Sequence, residues 1–196
     1  MGLSDYIIGF GYLGITITIF AESGFLLGFF LPGDSLLFTV GLLASQGYFN
    51  IFILAILSTV AAVLGDNFGY YIGKKIGPSL FAREDSFFFK KKYVEDTQLF
   101  FEKHGKKTII LARFVPIVRT FAPILAGVGT MRYPTFIAYN VIGGILWCFG
   151  FLFVAFYLGR QFPGIEDYLA YIIGAIILIS LTPLLRHIVK AVRKKS

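Results

Sequence analysis

At 196 residues, the chain has room for one compact unit rather than two independent domains. Its residues are 57% hydrophobic and only 15% charged, with a mean hydropathy of +0.77, whereas a soluble domain carries roughly 25% charged residues. That excludes an exterior facing mainly water, and the formal net charge of +7 points to an anionic membrane leaflet rather than to nucleic acid, because the excess sits beside apolar segments.

A bilayer core about 30 Å thick takes roughly 20 apolar residues as a helix. Residues 6–20 are apolar, lack a basic stretch before them and a small-residue cleavage site after them, and read as part of the mature protein rather than a signal peptide. Residues 21–46 are apolar but carry Glu22, Pro32, Gly33 and Asp34. Residues 48–73 are long enough to span. Residues 74–107 hold nine Lys/Arg against five acids, with an amphipathic stretch over 93–103. Residues 108–130 are again apolar and broken, by Arg113, Pro116, Arg119, Pro123, Gly127 and Gly129. Residues 134–158 and 168–185 complete the set of three spans, and the tail from Arg186 holds five basic residues and no acid.

A proline removes a backbone donor and clashes with the preceding turn, so an unbroken helix through either interrupted region is costly. Irregular backbone at membrane depth is tolerated only within protein or beside a wet cavity. The expected fold is therefore an all-α membrane protein with two re-entrant hairpins. Pro32-Gly33 marks the tip of the first, and residues 116–123 form that of the second. The positive-inside bias places 74–107 and the tail in the cytoplasm and the loop 159–167 outside. The layout then reads as an inverted repeat within a single multi-pass domain. Residues 1–73 form the first repeat, 74–107 a cytoplasmic segment, 108–158 the second hairpin and span, and 159–196 the last helix and tail. Inverted repeats with broken helices are a common plan for secondary transporters.

The ionisable groups inside apolar segments are Glu22, Asp34, Asp66, Arg113 and Arg119. Each costs about 2.5–3.5 kcal/mol at the bilayer centre on insertion scales, and such groups face a cavity or pair with one another. Two acids on one hairpin complement two arginines on the other, and ion pairs that merely staple the hairpins are the plainer reading. Arginine presents a planar fork matched to phosphate oxygens. A carboxyl in low dielectric is disfavoured as an anion, which suits it to reversible protonation.

Taken in order, Glu22, Pro32-Gly33-Asp34, Gly65-Asp66-Asn67-Phe68-Gly69-Tyr70-Tyr71-Ile72-Gly73, Arg113-Phe114-Val115-Pro116-Ile117-Val118-Arg119, Pro123 and Ala126-Gly127 resemble the DedA (SNARE-associated, VTT-domain) family. The resemblance covers roughly residues 22–147. It implies a bacterial cytoplasmic-membrane lipid carrier, of a family that includes translocases of undecaprenyl phosphate and members linked to phospholipid scrambling and proton-dependent stress tolerance. Glu22 and Asp34 match the family's membrane-embedded acids, and Arg113 and Arg119 its essential arginines. Where the family often has Glu after Pro-Gly, Asp34 is one methylene shorter.

The function expected is transport of a lipid phosphate, with Arg113 and Arg119 binding substrate and Glu22 and Asp34 coupling it to protons or another monovalent cation. Asp66, Pro32, Gly33, Pro116, Pro123 and Gly127 are supporting residues. This is a carrier rather than an enzyme, and nothing calls for a cofactor. Two alternatives stand beside it: an integral-membrane lipid phosphatase, and a non-catalytic assembly or division factor. The phosphatase needs a phosphate-accepting histidine, and neither His104 nor His187 lies in such a context.

Other features read as structural. Gly9 to Gly14 spells GxGxxG, but no strand precedes it and no βαβ unit follows. The pairs Gly24/Gly28, Gly69/Gly73 and Gly73/Gly77 are spaced for close helix approach; packing within the chain is the default and a homo-oligomer the alternative. Trp147 reads as an ordinary core or lipid-facing residue. The single Cys148 permits no internal disulfide.

Overall fold

The computed structural model describes residues 3–25, 33–82, 107–114, 116–129 and 131–162. They form six helices joined by turns, with no strand among them: α1 (Leu3–Gly24), α2 (Gly33–Ser45), α3 (Ile51–Ala82), α4 (Thr108–Ala112), α5 (Pro116–Val128) and α6 (Tyr133–Gln161). Within α3, the stretch Ile51–Ile76 is long and apolar enough to cross a membrane, and so is the whole of α6. The expected third span at 168–185, the amphipathic stretch 93–103, the basic tail and Pro32 lie outside the described residues.

Local chemistry sets the helix ends. Gly47 adopts φ +89° after α2, a conformation open to glycine, and Tyr48 N–H closes back on the Leu43 carbonyl at 3.2 Å. Asn50 then caps α3, its Oδ1 accepting from Phe52 N–H at 2.9 Å and Ile53 N–H at 3.3 Å. Pro116 opens α5, where its missing N–H costs nothing.

Two expectations are corrected. Residues 21–24, assigned to the first hairpin, are the last turn of α1, so Glu22 belongs to the N-terminal helix. Residues 116–123 are not a hairpin tip, because α5 continues through Pro123 to Val128. Pro123 packs against α3 at Gly69, where an added Cβ would stand 3.5 Å from the ring, an ordinary contact. Missing backbone bonds are tolerated in membrane helices where adjacent helices pack closely.

Helix α3 is the central post. It packs against α1, α5 and α6, while α2 lies along α6. Glycines make these contacts intimate. At the α1–α3 crossing, a Cβ on Gly24 would sit 3.1 Å from the Gly65 carbonyl, and one on Gly65 would sit 2.7 Å from the Phe20 carbonyl. At the α3–α5 crossing, a Cβ on Gly73 would overlap the Ile124 backbone, and one on Gly127 the Tyr70 backbone. The main apolar core gathers Ile19, Leu37, Leu54, Ala62, Trp147 and Leu152 from α1, α2, α3 and α6. A second core stacks Tyr70 on Phe136 with ring centroids 4.6 Å apart.

Candidate functional site

Five charged side chains reach the interior from five different helices or their ends. Glu22 comes from the last turn of α1, Asp34 from the first turn of α2, Asp66 from α3, Arg113 from the C-cap of α4, and Arg119 from the start of α5. Asp34 gains from its position, since a helix N-terminus favours negative charge. Glu22, Asp66, Arg113 and Arg119 are all at most 5% exposed.

They sort into two clusters. In the first, Arg119 Nη2 donates to Glu22 Oε1 and Nη1 donates to Asp34 Oδ1 at 2.9 Å. The same Asp34 oxygen accepts from Trp147 Nε1 at 2.8 Å. The Arg119 guanidinium lies over the Trp147 ring, 4.4 Å from its centroid. Gly33 closes this cluster, because a side chain there would occupy the space of the Glu22 carboxylate. In the second cluster, Arg113 Nη2 donates to Asp66 Oδ2 and to Asn140 Oδ1. Asn140 Nδ2 donates onward to the Val63 carbonyl at 3.2 Å. Two glycines of α6 make room for this arginine: a Cβ on Gly143 would stand 2.9 Å from Arg113 Cδ, and one on Gly144 3.5 Å from Nη1.

Helix α6 joins the clusters. Trp147 of α6 belongs to the first cluster and Asn140, Gly143 and Gly144 of the same helix to the second, with the buried Cys148 next to Trp147. Glu22 Oε2, Asp66 Oδ1, Arg113 Nε and Arg119 Nε are buried with no hydrogen-bond partner among the described residues. The site therefore holds polar capacity beyond its own ion pairs. With every group ionised, three carboxylates face two guanidiniums and leave one surplus negative charge. Among the described residues no group of three His, Cys, Asp or Glu could hold a metal ion.

The acids and arginines meet in the interior, in two clusters rather than at one common site. Arg119 takes both Glu22 and Asp34, while Arg113 pairs with Asp66. Pro123 and Gly127 serve the α3–α5 contact, and Pro116 heads α5. Trp147, Asn140, Gly143, Gly144 and Cys148 were not anticipated. Their signal was present in outline: Asn140, Gly143/Gly144 and Trp147 follow the i, i+3/i+4, i+7 spacing of one helix face, with a lone asparagine inside an apolar span.

Residues 31–157 match the model of the VTT domain, a stretch that contains Asp34, Asp66, both arginines, Asn140 and Trp147. The chain belongs to the VTT-domain, or DedA, family. Protein DedA of Escherichia coli is 44% identical over 182 residues, covering 90% of this chain and 83% of the relative. An uncharacterized membrane protein of Mycobacterium tuberculosis is 49% identical over 174 residues, 88% of this chain and 76% of that one. The inner membrane protein YqjA of E. coli is 32% identical over 153 residues, 78% and 70% of the two chains. No solved structure matches. As a DedA-family chain with two membrane-length apolar helices, this is a membrane protein, and its buried charges are charges within a membrane protein's interior.

Proposed function

We propose that this protein carries a lipid phosphate, undecaprenyl phosphate or a phospholipid, across the bacterial cytoplasmic membrane, with its movement coupled to protons. The observation that carries the reading is Arg119, a buried fork held between two carboxylates and an indole face. Guanidinium geometry matches phosphate oxygens as well as it matches carboxylates. A phosphate entering the site therefore competes with Glu22 and Asp34 for the same N–H groups. Protonating either acid cancels the surplus negative charge and loosens its hold on Arg119. Proton and phosphate then favour each other's binding, and such linkage is reciprocal.

The same reading carries a topology. In this reading the elements around α2 and around α4–α5 enter the membrane from opposite sides as the discontinuous parts of an inverted repeat. The loop 159–167 lies outside, and the basic stretch 74–107 and the C-terminal tail meet the anionic cytoplasmic leaflet.

The test is translocation of a labelled lipid monophosphate in proteoliposomes, with and without an imposed pH gradient. The expected result is gradient-dependent movement that Arg119→Ala abolishes. Movement no faster than in protein-free vesicles ends the carrier reading, and movement indifferent to the gradient ends proton coupling.

A further inference from the structure

Trp147 is the only tryptophan in the chain and is completely buried. Its two polar capacities are both used within the Arg119 cluster. The indole N–H, a donor only, meets Asp34 Oδ1 at 2.8 Å, and the ring face lies 4.4 Å from the Arg119 guanidinium carbon. One rigid side chain thus touches both members of the Arg119–Asp34 pair. The remainder of the indole is packed in the core formed by Leu37 of α2, Leu54 and Ala55 of α3, and Cys148 and Leu152 of α6, so the ring is walled in.

We infer that Trp147 is a positioning residue, an indole clamp that holds Arg119 by its ring face and Asp34 by its N–H. The clamp keeps the guanidinium in place when a carboxylate leaves it. A desolvated cation over an indole face is held by the ring quadrupole, and this contact does not require either acid to be ionised. The N–H acts differently. It bonds most strongly to ionised Asp34 and so opposes protonation of that carboxyl. Among the described residues, the charged groups facing Asp34 and its partners are Arg119 from α5 and, through Arg119, Glu22 from α1, while the Asp66–Arg113 pair forms the separate second cluster. The inference rests on the lipid-phosphate reading only in naming phosphate as the ligand for which Arg119 is held.

The single indole also reports on the clamp. Excitation moves electron density from the pyrrole to the benzene side of indole, so a carboxylate at Nε1 lowers the excited state, and protonating it shifts emission to the blue. The experiment is intrinsic fluorescence of the full chain in phosphatidylcholine nanodiscs, titrated from mildly alkaline to mildly acidic pH. The wild type should shift to the blue along a one-proton curve. Asp34→Asn should start blue and stay there. Wild-type emission that ignores pH overturns the clamp without any variant, and so does an Asp34→Asn protein that shifts as the wild type does.

Transport supplies a second readout. Trp147→Phe keeps a ring and loses the donor, so the pH at half-maximal rate should rise. Trp147→Leu loses both, and its rate should fall about tenfold or more. A Phe variant with the wild-type pH profile also overturns the clamp. Absence of transport by the wild type would end the carrier reading while leaving the emission result intact.

Discussion

Asn140 shares one nitrogen of Arg113 with Asp66: Nη2 donates to both side chains, and Asn140 passes the chain of bonds to the Val63 carbonyl. Removing one partner of a buried pair costs about 3–5 kcal/mol, whereas replacing both by apolar groups is often neutral. Asp66→Ala should therefore lower thermal stability sharply, and the double variant Asp66→Leu/Arg113→Met should recover it. If the pair only stapled α3 to α4, the double variant would also transport. The expected result is a stable protein without transport, measured by melting in detergent beside the proteoliposome rate.

Arg113→Lys and Arg119→Lys should both fail despite retained charge. An ammonium cannot hold Glu22 and Asp34 in one plane while lying on an indole face. Losing one charged hydrogen bond costs about 1.5–3 kcal/mol, so translocation should drop at least tenfold at either position. Full rates in both variants would mean that a positive field suffices, and the phosphate fork would be lost as an argument.

Two glycine substitutions should act in opposite directions. Gly127→Ala places a methyl on the Tyr70 backbone, and such overpacking costs about 1–3 kcal/mol. Gly14→Ala meets nothing within 4 Å and gains about 0.5–1 kcal/mol from reduced chain entropy. Paired melting curves decide it: Gly127→Ala should melt below the wild type and Gly14→Ala at or above it.

Glu22→Gln and Asp34→Asn mimic the protonated acids. Each should keep lipid binding while its transport no longer responds to an imposed pH gradient. Binding can be read by native mass spectrometry of the purified protein with its retained lipid. A variant that still accelerates under the gradient removes that residue from the coupling.

The proposed sidedness predicts that a cysteine at Ser196 reacts only with membrane-permeant reagents in intact cells, and one at Gln161 with impermeant reagents as well. The labels are read in a Cys148→Ala background. Surface labelling of the Ser196 position would reverse the topology.

The buried charges could be identified from the sequence because an ionisable residue in an apolar run is costly wherever it points. That such charges pair inside the protein follows from that cost. Partner choice does not, because it depends on helix crossings that no linear pattern encodes. Asp66 reaches Arg113 because Gly143 and Gly144 let the arginine lie against α6. Trp147 was hidden for a related reason, since an indole in an apolar helix has the same pattern whether its N–H faces a carboxylate or nothing. The prolines misled in one place. Pro123 carries the local cost expected of it, yet α5 runs on through it to Val128 while packed against α3.

All three acids precede both arginines along the chain, and the ion pairs close over 47, 85 and 97 residues. During synthesis Glu22, Asp34 and Asp66 leave the ribosome before either counter-charge exists. Each faces an insertion cost of about 2.5–3.5 kcal/mol at the bilayer centre until its partner arrives. Neutralisation of the acids on α1, α2 and α3 comes from α4 and α5. A chain stopped before Arg113 therefore carries Glu22, Asp34 and Asp66 without the partners they hold in the fold.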